Sequence, residues 1–463
     1  MSQLPNFKYH PMCKKLKLTH LIFADDLMIF CKGNVDSVNR VMEALAHFNA
    51  ATGLEANLEK SNVYLARVDE RVKMQILART GFSEGVFPIK YLGLPLSPKK
   101  WKKIECWSLI DKITHRIKVT YSKQLSYAGR LQVINAVLFS IHSFWGAVFI
   151  LPQSILKKVD QICRDFLWGS SADKKKVALV AWDKVCLPKR QGGLNIKGCS
   201  NWNKASVGQL LWQIIVNKES LWVKWVHDIY MKNDTSIWTH KTPIDCSWYW
   251  RKINALKEHM QGWYNHRRYM LTQTGKYSIT KSYQALMGTK PRWNIAELVW
   301  TSMAIPKHRF MTWLAVQGRL LTQERKLRLQ IQVEDIACCL CEEKVMETNV
   351  HLFEDCKWTS TVWQAMHQWI EVPVHNIGIV QVLENIKGNR WKQFKKEIMA
   401  AICGAIIYHT WRARNWRRFR DIRVHTEEAV TQIKKEISER LHLLSSSKRA
   451  NKCRHFIQHL LCN

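Results

Sequence analysis

The chain has 463 residues, 47% of them hydrophobic, enough for roughly two to four domains with real cores and too apolar for a disordered tail. Its 71 Lys+Arg against 37 Asp+Glu leave a formal charge of +34 spread along the sequence. Self-repulsion on that scale argues against an unpartnered basic surface and makes nucleic acid the first expected partner. Fourteen cysteines form no small-domain framework, and the N-terminus "MSQLPNFKYHPMCKKLKL" has no apolar secretion segment, so free thiols in a reducing compartment are expected. The 22 tryptophans suit base stacking as well as packing, with most expected in the core.

Gly and Pro are sparse and most segments have helical period, so the expected fold is α+β, mainly α, with a small sheet near the start. "THLIFADDLMIF", residues 19–30, predicts strands Thr19–Phe23 and Leu27–Cys31 joined by a tight turn with Asp25 and Asp26 at its tip. Adjacent carboxylates repel unless a cation lies beside them. Hard oxygen ligands favour Mg²⁺, and an ordinary acidic turn is the plainer alternative. A helix follows, capped by Asp36 or Ser37, with Val38, Val41, Met42, Leu45 and Phe48 on one face and a stop near Gly53. "ANLEKSNVYLA" predicts a strand, and "FPIKYLGLPLSPKK" is extended and turn-rich.

From Trp101 the period is helical again, with Ile110, Ile113 and Ile117 on one stripe. Val133 to Leu151 carries no formal charge and approaches a membrane-spanning length, but Asn135, Ser140, His142 and Ser143 interrupt it, so a buried helix is expected and no membrane partner. Ile155, Val159, Ile162 and Phe166 form the next stripe. Lys157, Lys158 and Arg164 lie off it, on a face either solvated or set beside a nucleic-acid backbone. "GSSADKKKVALVAWDKVC" marks a boundary, and the stretch to about residue 270 is Trp-rich.

"ACCLCEEKVMETNVHLFEDC" places Cys338, Cys341, His351 and Cys356 in a C-x2-C, nine residues, H-x4-C pattern able to surround a tetrahedral, structural Zn²⁺. Cys339 could enter the shell instead, although the C-x2-C spacing favours Cys338. Buried thiols beside an unrelated histidine are the plainer alternative. Further on, Trp411, Arg412, Arg414, Trp416, Arg417 and Arg418 fall within eight residues, suiting phosphate contacts and stacking or, equally, a surface helix with buried tryptophans. Glu427, Glu428, Glu436 and Glu439 are expected on one charged helix face.

Four motifs in order, Phe23-Ala24-Asp25-Asp26, "ATGLEANLEKSNV", Tyr91-Leu92-Gly93-Leu94-Pro95-Leu96 and "SYAGRLQVINAVL", resemble the end of the palm and the thumb of reverse transcriptases from plant non-LTR (LINE-type) retrotransposons. "YSITKSYQALM", "ELVWTSMAIPKHRFMTWLAVQGRLLTQERKL" and the cysteine cluster resemble the zinc-binding domain that follows that polymerase. The resemblance implies a metal-binding role for Asp25 and Asp26, a place near the leaving pyrophosphate for Lys60, and a primer-gripping hairpin at Tyr91 and Gly93. It implies a partial palm over 1–67, primer grip and thumb over 86–170 and the zinc-binding domain over 271–373, and composition adds a Trp-rich connector over 171–270 and a basic helical tail over 374–463.

The family's further palm carboxylate comes from an upstream strand, and the 24 residues before Asp25 contain no acidic residue. The expectation is therefore a truncated polymerase, silent alone, that binds RNA and single-stranded DNA, with an upstream fragment able to complete it or a protein-interaction scaffold as alternatives. The last ninety or so residues show no clear set of four spaced carboxylates, so no ribonuclease H domain is expected. Residence in the nucleus follows from partner and family.

Overall fold

The computed structural model describes residues 4–97, 106–120, 125–169, 176–232, 236–265, 268–372, 378–444 and 447–462. Residues 170–175 of the expected boundary and 101–105 of the expected helix start lie outside the described residues. The fold is α+β and mainly α, its described strands confined to four two-stranded pairings. The chain divides into two compact units: Met1–Asp111, Ser143–Leu156 and Ser200–Gly288 form one, and Lys112–His142, Lys157–Cys199 and Thr289–Asn463 the other.

The first unit opens with the antiparallel pair His20–Phe23 and Asp26–Ile29. The next helix, Val35–Thr52, begins two or three residues earlier than the side chains suggest. Asn34 stands at its cap, while Ser37 is buried and takes the Lys8 amide on its Oγ at 2.9 Å. Val38 and Val41 are buried against the neighbouring Glu70–Thr80 helix, Phe48 at the far end of the stripe is exposed, and Gly53 ends the helix at φ +72°. The expected strand in "ANLEKSNVYLA" shrinks to Asn62–Val63, paired in parallel with Ser83–Glu84.

The Trp-rich stretch supplies this unit's core: Val207, Leu211, Ile214, Val226, Trp250, Ile253 and Met260 pack together, and the Tyr230 ring stacks on Trp250 with centroids 4.8 Å apart. Buried Asn203 donates to the Gly146 and Phe149 carbonyls and accepts from the Leu151 amide, satisfying backbone left open where the preceding helix ends. That helix, Tyr127–Val148, is long and apolar enough to cross a membrane by length and composition. It buries one face only, through Ile134, Leu138, His142 and Trp145, and exposes Asn135, Ser140 and Phe144 on the other. The helix expected to be buried is thus buried along one face, with the polar His142 on that face and Asn135 and Ser140 off it.

In the second unit the Gln393–Arg420 helix is the axis, buried from Phe394 to Arg414 and packed on Pro306–Val316. The Lys357–Ile370 and Thr426–Leu444 helices pack on each other beside it. A segment expected to be a basic tail therefore contributes a helix with a long buried stretch to this unit's core. Its run Ile398 to Ile407 is apolar on every face, the pattern of a helix surrounded by others.

Candidate metal centre and nucleic-acid interface

Two backbone rungs set up the cysteine cluster: the Cys338 amide donates to the Val345 carbonyl at 2.8 Å and the Glu347 amide to the Ile336 carbonyl at 2.9 Å, closing the loop that carries Cys341. Thr348 caps the turn that presents His351, its Oγ1 accepting from the His351 amide at 2.9 Å. Cys356 is the cap residue of the Lys357–Ile370 helix, where the positive end of the helix dipole favours a thiolate. The donor atoms of Cys338, Cys341, His351 and Cys356 all lie within 4.8 Å of one another.

The Cys338 and Cys356 sulfurs are 3.9 Å apart, and Cys341 Sγ is 3.3 Å from His351 Nε2. A tetrahedral zinc shell has edges of about 3.8 Å between sulfurs and about 3.6 Å between sulfur and nitrogen, so this donor set fits the ion in chemistry and size. Hydrogen bonding from the Cys356 thiol draws Cys338 down against the effect of burial, and the same contact together with burial pushes Cys356 up. Cys339 points out of the cluster, its thiol 3.6 Å from the Arg414 carbonyl.

At the other end of the chain, Phe23 pairs with Asp26 across a two-residue turn of Ala24 and Asp25. Asp25 thus occupies the turn and Asp26 the first position of the returning strand, one residue earlier than the expected strand start. Ala24 holds φ +51°, a conformation usually left to glycine, because two-residue hairpin turns need positive φ to match the strand twist. Both carboxylates are exposed, as are Ile22 (62%) and Phe23 (58%). Among the described residues, the Asp25–Asp26 pair is in neither of the two groups that bring three or more metal-ligating side chains together. Lys60 stands exposed on a turn whose amide Asn57 holds at 3.0 Å. Tyr91 ends the strand Ile89–Tyr91, which pairs with Leu94–Leu96 through Leu92 and Gly93, both at positive φ. The two-residue turn is why glycine serves at position 93.

With this geometry in view, comparison with known proteins finds two matching segments. Residues 4–96 match the family model described as reverse transcriptase (RNA-dependent DNA polymerase), and residues 277–363 match zinc-binding in reverse transcriptase. The chain is reverse-transcriptase-like. It is 24% identical to an Arabidopsis thaliana protein named for ribonuclease H, over 58% of this chain and 57% of that one, so it spans little more than half that relative's length. It is also 27% identical to an uncharacterized mitochondrial protein of Arabidopsis thaliana, over 23% of this chain and 68% of that one.

The basic residues of this reverse-transcriptase-like chain divide sharply. Lys157 and Lys158 project from the outer face of the Gln153–Trp168 helix and are exposed. Arg412 lies over the Trp416 ring at 4.2 Å, and Arg417 is exposed and paired with Asp421 at 2.6 Å. Arg414 and Arg418, expected as nucleic-acid contacts, require correction. Arg414 is 1% exposed and grips both oxygens of Glu347 through Nε at 3.1 and 3.0 Å and through Nη2 at 2.6 Å. Arg418 is tied to Asp335 at 2.9 Å and to Glu347 at 3.5 Å. Both guanidiniums neutralise a carboxylate buried beside the cysteine loop, and Arg414, which holds both its oxygens, cannot be given to a phosphate without stripping Glu347 of its main partner.

The sequence reading also missed a constellation. Glu436, expected on a charged face with Glu427, Glu428 and Glu439, is buried between His308 and His409. Burial works to raise its carboxyl, and the two imidazoles outweigh burial and hold it below the usual carboxylate range. No short motif links residues 308, 409 and 436. The available signal was the apolar company of Glu436 at Ile433 and Ile437, which turns that side of the helix inward.

Proposed function

We propose that this chain is a LINE-type reverse-transcriptase polypeptide whose own activity is zinc-dependent binding of RNA and single-stranded DNA. The observation that carries the reading is the converged Cys338, Cys341, His351 and Cys356 donor set inside the segment similar to reverse-transcriptase zinc-binding domains. All four positions come from protein, so Zn²⁺ held there is structural and orders the loop. The charge of +34, with Lys157, Lys158 and Arg417 exposed and Arg412 half-buried over Trp416, supplies the attraction to a polyanion. Asp25 and Asp26 offer oxygens to Mg²⁺. In-line phosphoryl transfer needs a further carboxylate to hold both ions, and that group must come from another stretch of polypeptide. Exposed Ile22 and Phe23 on the same hairpin favour a second reading, an active polymerase once an upstream fragment covers them.

Zinc-loaded protein titrated with single-stranded RNA and DNA over a salt series tests the proposal. Affinity is expected to fall steeply with salt, and replacing Lys157, Lys158, Arg412 and Arg417 by alanine to flatten the slope by about 0.7 for each phosphate that is no longer neutralised. Salt-independent or undetectable binding sinks it. Extension of a primed RNA template above an Asp25→Ala control would show that the chain polymerises alone.

A further inference from the structure

We propose that His308, His409 and Glu436 form a second divalent transition-metal site, independent of the cysteine cluster. The three side chains come from three different helices: Pro306–Val316, Gln393–Arg420 and Thr426–Leu444. All three are buried, and their ligand atoms lie within 4.8 Å of one another. His409 Nε2 is 3.0 Å and His308 Nε2 3.2 Å from the same atom, Glu436 Oε2. For metal–nitrogen and metal–oxygen bonds of about 2.0–2.1 Å, tetrahedral edges are about 3.3 Å, so the two nitrogen–oxygen edges need to open by only a few tenths of an ångström.

The second observation is the state of His308. Its ring is fully buried, and neither nitrogen has a hydrogen-bond partner. Nε2 approaches Oε2 to 3.2 Å without the alignment of a hydrogen bond. His409 turns to that oxygen as a hydrogen-bonding partner does, whereas His308 does not, and a metal ion is a partner that a misaligned imidazole nitrogen can still take. Tyr408 packs against the His308 ring at a tilt of 34°, with centroids 4.6 Å apart, and holds it in that orientation.

Two imidazoles and one carboxylate are a donor set for Zn²⁺, and also for Fe²⁺, with one or more positions left to water. Lys307 pairs with the other oxygen, Oε1, at 3.1 Å, which fixes the carboxylate, so the ion takes Oε2 by displacing the proton that His409 Nε2 shares with it. The site's role is to clamp three helices of the second unit. It extends beyond nucleic-acid binding and does not depend on it.

Metal analysis of protein purified without chelator tests this directly. Two equivalents of transition metal are expected in the unaltered chain and one in Glu436→Gln and His308→Phe, with far-ultraviolet circular dichroism reporting the fold. After cobalt exchange, both variants keep the thiolate-to-cobalt charge-transfer band of the cysteine site, whereas Cys341→Ser weakens that band and keeps the second ion. If the variants unfold, a thiol-blocking mercurial on the unaltered protein decides: one equivalent left bound supports the site, and none overturns it. A single equivalent in the unaltered chain, or two in both folded variants, also overturns it.

Discussion

The Cys338–Cys356 cluster and the Asp25–Asp26 hairpin are both small turns carrying ligands, yet one is self-contained and the other is not. The cluster's four donors fall within a single short loop and helix start, so closing it costs little chain entropy, and the chain around it supplies the Glu347 clamp. The hairpin presents two exposed carboxylates and an exposed apolar face, and a two-metal site has to recruit further ligands from strands far away in sequence. A site assembled locally keeps its geometry in whatever polypeptide contains it. One assembled over distance depends on everything that brings its parts together.

Metal removal separates the two most strongly. Chelation, or Cys356→Ser, is expected to loosen residues 338–356 and destabilise the second unit by several kcal/mol, against about 10–16 kcal/mol of binding energy for structural zinc in small domains. Amide exchange should accelerate there and stay unchanged across residues 20–29. Acid should act in the same direction, because protons compete with the ion for thiolates, so release increases as pH falls. Unchanged exchange around Cys338 after complete zinc removal breaks the comparison.

A smaller effect tests whether the clamp belongs to the cluster. Arg414→Met leaves Glu347 charged and buried and is expected to cost about 3–5 kcal/mol in denaturant melts, whereas Arg417→Ala, at an exposed pair, should cost about 0–1 kcal/mol. Adding Glu347→Met to Arg414→Met should recover much of the loss, since apolar replacement of a whole buried pair is often neutral. Equal costs for the two arginines would mean that Arg414 is a surface group after all.

The sequence carried the local parts of this picture and missed the distant ones. Helical period placed the Ile155, Val159 and Phe166 stripe on the buried side of its helix and Lys157 and Lys158 outside it, because period alone decides which face turns inward. Spacing brought the four metal donors together because they are near neighbours along the chain. It said nothing of Glu347 meeting Arg414, or of His308, His409 and Glu436, since those partners are chosen by helix packing. Counting arginines between residues 412 and 418 likewise could not tell Arg417, in water, from Arg414, one turn away and enclosed.

The smallest effect is expected at the hairpin. Asp25 and Asp26 are exposed, and among the described residues neither belongs to a cluster of metal-ligating side chains. Replacing both by asparagine removes a like-charge neighbour pair and no buried contact, so stability should change by no more than about 0.5 kcal/mol, with zinc content and single-stranded RNA affinity unaltered. Magnesium should shift the melting temperature of neither protein. A Mg²⁺-dependent rise in the melting temperature of the unaltered chain, absent from the Asp25→Asn, Asp26→Asn variant, would mean that an ion already sits at this turn with further ligands from the same polypeptide. The hairpin would then be as self-contained as the cysteine cluster.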